Sequence, residues 1–252
     1  MKARSSALML AAMFAVFRAH VAVATPVEGL APPTIDINGT PLDLGALACT
    51  PRGGELACSG QNIAGDGYVL DSLQLLLNPD PSINATFNLT NLSASTQTFI
   101  LTVTLPVSPT GPSLSATGSV GTGTLSDMNG NGATLTDDGS SIYSALIDGS
   151  PVRTLLDPPQ SFTTSVDVTG LPIPVSIGPE SFGPEILAQS ANLSIGMRVQ
   201  YTLTAGDNVA LPIFFSVQPV PEPGTLVLVG SGLASLVGAR RRGAARTRPP
   251  SA

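Results

Sequence analysis

A short segment rich in carboxylate and amide side chains is the first part of the sequence that could do chemistry. Asp127-Met-Asn-Gly-Asn-Gly132 fits the first half of a calcium loop, and Asp138 stands at position twelve, where the full motif has Glu. Leu135 occupies position nine, and the residues after Gly132 have the pattern of a strand. These departures favour a β-hairpin with an Asn-Gly turn, and a calcium site is the alternative. The ligands of that alternative site would be Asp127, Asn129, Asn131 and Asp138.

The two cysteines are the second candidate for chemistry. Cys49 and Cys58 enclose a short segment in which Gly53-Gly54 can turn. In an oxidising compartment an even pair at this spacing predicts a disulfide that closes a surface loop, with two unpaired thiols as the alternative. A metal site would need more ligands than two cysteines, and a catalytic thiol would need a base. The single histidine, His20, lies in a segment that we expect to be removed, so it can supply neither.

The residue types that most active sites require are missing from the expected mature chain. Without histidine there is no Ser-His-Asp or Cys-His arrangement, and without lysine no phosphate-binding GxxxxGK[ST] loop. Adjacent carboxylates such as Asp137 and Asp138 would point to opposite faces of a strand. We therefore predict a non-enzymatic protein with no catalytic residue and no cofactor other than the alternative calcium. An enzyme acting on glycans with carboxylates alone is the last hypothesis.

The charge distribution excludes one large class of partner. The 252-residue chain has a net charge of −6, but residues 25–223 hold all seventeen acidic residues and only three basic ones, a net charge of −14. Such a body repels phosphate backbones, so nucleic-acid binding is not expected. The 26 Gly and 23 Pro interrupt the chain too often for a helical bundle.

Alternating apolar and polar residues predict the elements that carry these candidates. Residues 83–91 and 99–105 alternate cleanly around a short polar connection, Leu92–Thr96, and predict a hairpin with one face on the core. Residues 197–203 predict a further strand of the same kind. Weaker strands are expected at 68–77, 113–124, 141–147, 162–168 and 213–217. The fold class predicted is all-β, an antiparallel β-sandwich that forms one ectodomain over residues 25–219.

Both ends of the chain look like membrane-directed signals. Residues 1–24 have the pattern of a secretory signal peptide, with Lys2 and Arg4, an apolar stretch at 7–17, and cleavage after Ala24. At the other end, an apolar run at 224–239 precedes Arg240, Arg241 and Arg242. Sixteen helical residues rise about 24 Å, so they predict one short C-terminal transmembrane helix. The arginines and the 243–252 tail would stay cytoplasmic, with the body outside.

The C-terminal order of motifs resembles a known sorting signal. Val220, Pro221, Glu222 and Pro223, followed by the apolar span and the arginine cluster, resemble a PEP-CTERM protein-sorting signal over residues 220–242. The resemblance implies a Gram-negative bacterium that makes exopolysaccharide, and processing by an exosortase near Pro-Glu-Pro. The ten residues after the arginines make the tail longer than is usual in such signals.

The expected function follows from this destination. We expect an exported surface or extracellular-matrix protein associated with exopolysaccharide or biofilm. It would be held in the inner membrane by its C-terminal helix before processing, and would then reach the cell surface or the matrix. The alternative is a calcium-dependent binding module on the cell surface, resting on Asp127 to Asp138.

Overall fold

The computed structural model describes residues 32–108, 110–166 and 169–220, and strands dominate all three ranges. The predicted signal peptide and the predicted transmembrane helix lie outside these ranges. A single 3-10 turn, Leu44–Ala46, interrupts the strands that the structure describes. In chain order the strands are β1 (Thr34–Ile37), β2 (Thr40–Pro41), β3 (Ala48–Arg52), β4 (Glu55–Ala64), β5 (Tyr68–Asn78), β6 (Ser82–Asn91), β7 (Gln97–Pro106), β8 (Leu114–Val120), β9 (Gly123–Ser126), β10 (Thr134–Thr136), β11 (Tyr143–Ile147), β12 (Ser150–Leu155), β13 (Ser161–Thr163), β14 (Ser165–Val166), β15 (Pro172–Ile173), β16 (Val175–Ile177), β17 (Glu180–Leu187), β18 (Ser194–Leu203) and β19 (Asn208–Pro219).

The strands form two large antiparallel sheets. Sheet A has the order β12-β11-β18-β7-β1-β2, with β10 paired to β18 and β13 paired to β10. Sheet B has the order β16-β9-β19-β6-β5-β4-β3, with β8 paired to β19 and β17 paired to β8. The β14–β15 pair stands apart as a small ladder. The all-β antiparallel fold class is thereby confirmed.

Three two-residue turns fix the register of their hairpins. Asn38-Gly39, Gly53-Gly54 and Asp148-Gly149 each link directly paired strand ends, and all six residues have positive φ. Turns of this type need positive φ at both positions, and their twist matches that of the flanking strands. Glycine at the second position meets this need without a steric penalty.

The alternation predicted for β6 and β7 is confirmed, but their pairing as a hairpin is wrong. The inward residues of β6 (Ile83, Ala85, Phe87 and Leu89) and of β7 (Phe99, Leu101, Val103 and Leu105) are all buried, at 0 to 8% exposure. However, β6 pairs with β5 and β19 in sheet B, whereas β7 pairs with β18 and β1 in sheet A. The Leu92–Thr96 connection therefore crosses from one sheet to the other.

Burial explains why the two strands lie in opposed sheets instead of pairing side by side. A hairpin leaves its apolar face uncovered, whereas two opposed sheets about 10 Å apart cover both faces at once. Contacts between the sheets show this arrangement: the rings of Tyr68 in sheet B and Phe99 in sheet A lie 6.0 Å apart, edge to face. The Tyr143 hydroxyl of sheet A donates to the Phe214 carbonyl of sheet B at 2.8 Å. The strand predicted at 197–203 is confirmed as part of β18, which pairs with β7 along ten residues.

Candidate functional site

The segment with the calcium-loop pattern connects the two sheets. It follows β9, which belongs to sheet B, and leads into β10, which belongs to sheet A. The β-hairpin that the sequence favoured is therefore wrong, because β9 and β10 do not pair. The apolar residue before the loop, Leu125, and the one within β10, Leu135, are both buried at 1% exposure or less, so each end of the crossing is fixed in the core.

Asp127 organises the backbone of this crossing loop. Its Oδ1 accepts the amides of Asn129 at 3.2 Å and Gly130 at 2.7 Å, and its Oδ2 accepts the amide of Gly132 at 2.8 Å. Burial disfavours the charged form, but the amides of Gly132, Gly130, Asn129 and Asn131 outweigh it and lower the pKa of Asp127. The carboxylate is therefore ionised at neutral pH.

The structure brings together three of the four predicted calcium ligands. Asn129 and Asn131 share the turn with Asp127, and the Asn129 Oδ1 accepts the Asn131 amide at 3.1 Å. Asp138 lies beyond the other end of β10, where its carboxylate accepts from Ser140 and Gln200. In the described ranges no group of three or more His, Cys, Asp and Glu side chains is close enough to hold a metal.

Cys49 and Cys58 occupy directly opposed positions on β3 and β4 and are joined by a disulfide bond in the structure. The bond crosses the hairpin that turns at Gly53-Gly54 and lies within the ladder, not at the base of an irregular loop. It ties β3, the edge strand of sheet B, to its neighbour.

The outer face of sheet B next to this disulfide forms a groove of about 380 Å³. Two rows of paired residues cross its floor and walls, one joining Thr50, Ala57, Leu76 and Asn84 and the other joining Ala48, Ser59, Gln74 and Thr86. The small side chains at Ala48, Ala57 and Ser59 leave the depression, and longer side chains border it. Sequence reasoning missed this groove because β3 and β4 lack the regular alternation that identified the other strands.

The polar side chains of the groove are available to a ligand. Gln74, Asn84 and Thr86 are exposed and have no side-chain partner among the described residues. Arg52 is also exposed and unpaired there, whereas Arg153 forms an ion pair with Glu185. The polar part of the lining consists of amide, hydroxyl and guanidinium groups without a carboxylate, and alanine, leucine and Cys58 form the rest. Such a lining can hydrogen-bond to hydroxyl-rich ligands.

The last described residue shows where the β-sandwich body meets the C-terminal segment. β19 ends at Pro219, and the amide of Val220 donates to the Ser113 carbonyl at 3.0 Å, next to β8. Residues 219–242 match the PEP-CTERM protein-sorting motif. The chain carries a PEP-CTERM sorting signal. The motif implies export, membrane-associated sorting and processing by an exosortase.

The PEP-CTERM match covers only the C-terminal end of the chain, so it concerns sorting and not the β-sandwich body. A search of curated proteins found no match for the chain. The remaining sorting residues, Pro221 to Pro223 and Arg240 to Arg242, lie outside the described residues. Within residues 32–108, 110–166 and 169–220, no helix has the length and apolar character that a membrane crossing requires.

Proposed function

We propose that this protein is a non-enzymatic, exosortase-processed component of the cell surface or extracellular matrix that binds exopolysaccharide. The groove on the outer face of sheet B is the observation that supports polysaccharide binding. It offers unpaired hydrogen-bonding side chains on a rigid sheet, in a chain whose sorting motif directs it out of the cell.

The chemistry of the groove favours a neutral polysaccharide. Amides such as those of Gln74 and Asn84 can donate and accept at once, as sugar hydroxyls require. The body around the groove is strongly acidic, so a densely charged anionic polymer would be repelled. Arg52 would still accommodate an occasional carboxylate substituent on the polymer.

The proposal that the protein is not an enzyme rests on the same lining. Hydrolysis of glycosides normally uses two carboxylates that flank the scissile bond. The groove residues include neither Asp nor Glu, so a bound chain would be held there and not cleaved.

Binding can be measured with the exported protein and purified exopolysaccharide by affinity electrophoresis. We expect Gln74→Ala combined with Asn84→Ala to reduce retardation at least severalfold. Gln97→Ala combined with Thr98→Ala, two exposed positions on sheet A, is the matched control and should retain it. If the groove double variant binds as well as the wild type while the control is also unchanged, polysaccharide binding at this face is refuted.

Processing can be tested separately by intact-mass measurement of the surface form. We expect cleavage near Pro221-Glu222-Pro223, so the mature chain would lack Arg240 to Arg242. Because Val220 still contacts the body, cleavage after it would leave β19 complete. A surface form that retains the arginines would instead indicate a simple C-terminal anchor.

A further inference from the structure

Asp207 is a buried carboxylate that takes no part in the groove on sheet B. It ends the turn of residues 204–207 between β18 and β19 and has 0% exposure. Its Oδ2 accepts a hydrogen bond from the Thr204 hydroxyl, whereas its Oδ1 is buried without a hydrogen-bond partner. A buried carboxylate oxygen without a partner is costly, so a native fold normally supplies something to face it.

The crossing loop that begins at Asp127 packs against this turn. The Asn129 side-chain amide donates to the Ala205 carbonyl at 2.8 Å, and the backbone amide of Met128 approaches the Asp207 carboxylate. A side chain at Gly206 would collide with Asn129, so the two segments are in close contact. Burial raises the pKa of Asp207, and the nearby Asp127 charge raises it further, although the Thr204 hydroxyl and the nearby Met128 amide oppose the shift.

No basic side chain compensates these two carboxylates in the described part of the chain. The one ion pair found there joins Arg153 to Glu185. Two neighbouring acidic groups, one of them buried, are stabilised either by a proton that neutralises one of them or by a bound cation.

We propose that Asp127 and Asp207 together bind one divalent cation, with Ca²⁺ as the preferred ion. Both groups are hard oxygen donors of the kind that Ca²⁺ prefers. A carboxylate has about four acceptor positions. Asp127 accepts three amides at hydrogen-bond distance, and the Asn131 amide donates to the Asn129 side chain, so the carboxylate keeps capacity for an ion. Ca²⁺ accepts irregular sets of carboxylate, amide and water oxygens more readily than Mg²⁺ does. This site goes beyond the proposed polysaccharide binding and replaces Asp138 of the sequence motif with Asp207.

The ion would join two connections that each pass between the sheets. The Asp127 loop runs from sheet B to sheet A, and the turn at residues 204–207 runs back from β18 to β19. A cation between them would therefore stabilise the folded ectodomain, since the unfolded chain does not hold the two carboxylates together.

The test uses the exported protein, with CaCl₂ alone as the probe. Calorimetric titration should show one site per chain, and thermal unfolding followed by circular dichroism should show a higher Tm in Ca²⁺ than in EDTA. We expect Asp207→Asn and Asp127→Asn each to weaken Ca²⁺ affinity by about tenfold or more. Asp138→Asn is the matched control and should leave both the affinity and the Tm increase unchanged.

The remaining outcomes overturn the proposal. If the wild type binds no Ca²⁺ and Asp207→Asn raises the Tm in EDTA, the buried carboxylate is stabilised by a proton instead. If Asp138→Asn abolishes binding while Asp207→Asn does not, the ion belongs at the other end of β10. If the wild type shows neither heat nor a Tm shift, and Asp207→Asn changes nothing, Asp207 is a structural residue only.

Discussion

Replacing Asn91 with alanine should be among the most destabilising polar substitutions in the β-sandwich body. Asn91 ends β6 and has 0% exposure. Its Nδ2 donates to the carbonyls of Ser95 at 3.0 Å, Leu203 at 2.9 Å and Thr204 at 3.1 Å, and its Oδ1 accepts the Ser93 amide at 2.9 Å. The side chain therefore fastens the crossing connection between β6 and β7 to the end of β18.

The expected loss of stability follows from these contacts, in which the two hydrogens of Nδ2 are shared among three carbonyls and Oδ1 accepts one amide. Each bond contributes a net ~0.5–1.5 kcal/mol, and a buried group left unpaired costs ~1–3 kcal/mol. The Leu203 carbonyl is buried and would lose the hydrogen bond from the Asn91 side-chain amide. Water can reach the partly buried groups of Ser93, Ser95 and Thr204 that the side chain also contacts. Asn91→Ala should therefore lower the free energy of unfolding by about 3–4 kcal/mol, a large share of the ~5–15 kcal/mol that holds a typical domain.

Urea unfolding followed by far-ultraviolet circular dichroism is the appropriate assay, because the chain has no tryptophan to report fluorescence. Asn88→Ala is the matched control, since Asn88 lies on the same strand, is half-buried, and accepts one side-chain hydrogen bond, from Asn208. The control should cost about 1 kcal/mol. If Asn91→Ala is no more destabilising than Asn88→Ala, the argument from buried hydrogen bonds is wrong.

Three further predictions test the core, the disulfide and the pH dependence. Phe87→Asp should unfold the β-sandwich body because it buries an unpaired charge, whereas Thr86→Asp on the exposed face should be tolerated. A soluble Phe87→Asp variant with an unchanged Tm would contradict this. Reducing the Cys49–Cys58 bond should cost roughly 2–3 kcal/mol by the loop-closure argument, and free thiols in the unfolded, unreduced protein would refute the pairing. Burial opposes the charge on Asp148, but the Ser194, Leu193 and Asn192 amides outweigh it and lower the pKa of this carboxyl below 3.8. The contribution of Asp148 to folding stability is therefore present above pH 3.8 and is lost as the pH falls through the folded pKa. The stability difference between wild type and Asp148→Asn should therefore shrink in acid, and a difference that grows as pH falls would contradict the assignment.

The sequence predicted the faces of the strands well because alternation has a period of two and one face must be buried. The inward residues of β6, β7 and β18 all lie in the core. Strands without clear alternation were missed, among them β4, whose outward residues include Ala57, and the edge strand β17 with its exposed Ile186. Edge and outer positions are constrained less by burial, so their sequences carry a weaker signal.

Pairing partners could not be predicted in the same way. An alternating strand specifies which side faces the core, but it does not specify whether the next strand lies beside it or across from it. Both errors, at residues 83–105 and at the Asp127 loop, take this form, since each segment crosses between sheets where a hairpin was expected. The candidate cation site was missed for a related reason, because Asp207 is distant in sequence from Asp127 and only the fold brings them together.

The buried polar side chains explain how the chain specifies these crossings despite that ambiguity. Asn91 and Asp207 are the polar or charged residues that the described part of the chain buries completely, and they are neighbours. The backbone amide of Asn91 donates to the backbone carbonyl of Asp207 at 2.9 Å, and the backbone amide of Gly206 donates to the backbone carbonyl of Asn91 at 2.8 Å. A side-by-side hairpin of β6 and β7 would remove the Asn91 side chain from the β18 carbonyls that it satisfies here. Apolar burial alone tolerates several strand arrangements. These directional hydrogen bonds are satisfied in the arrangement where the β6–β7 and β18–β19 connections both cross between the sheets, side by side.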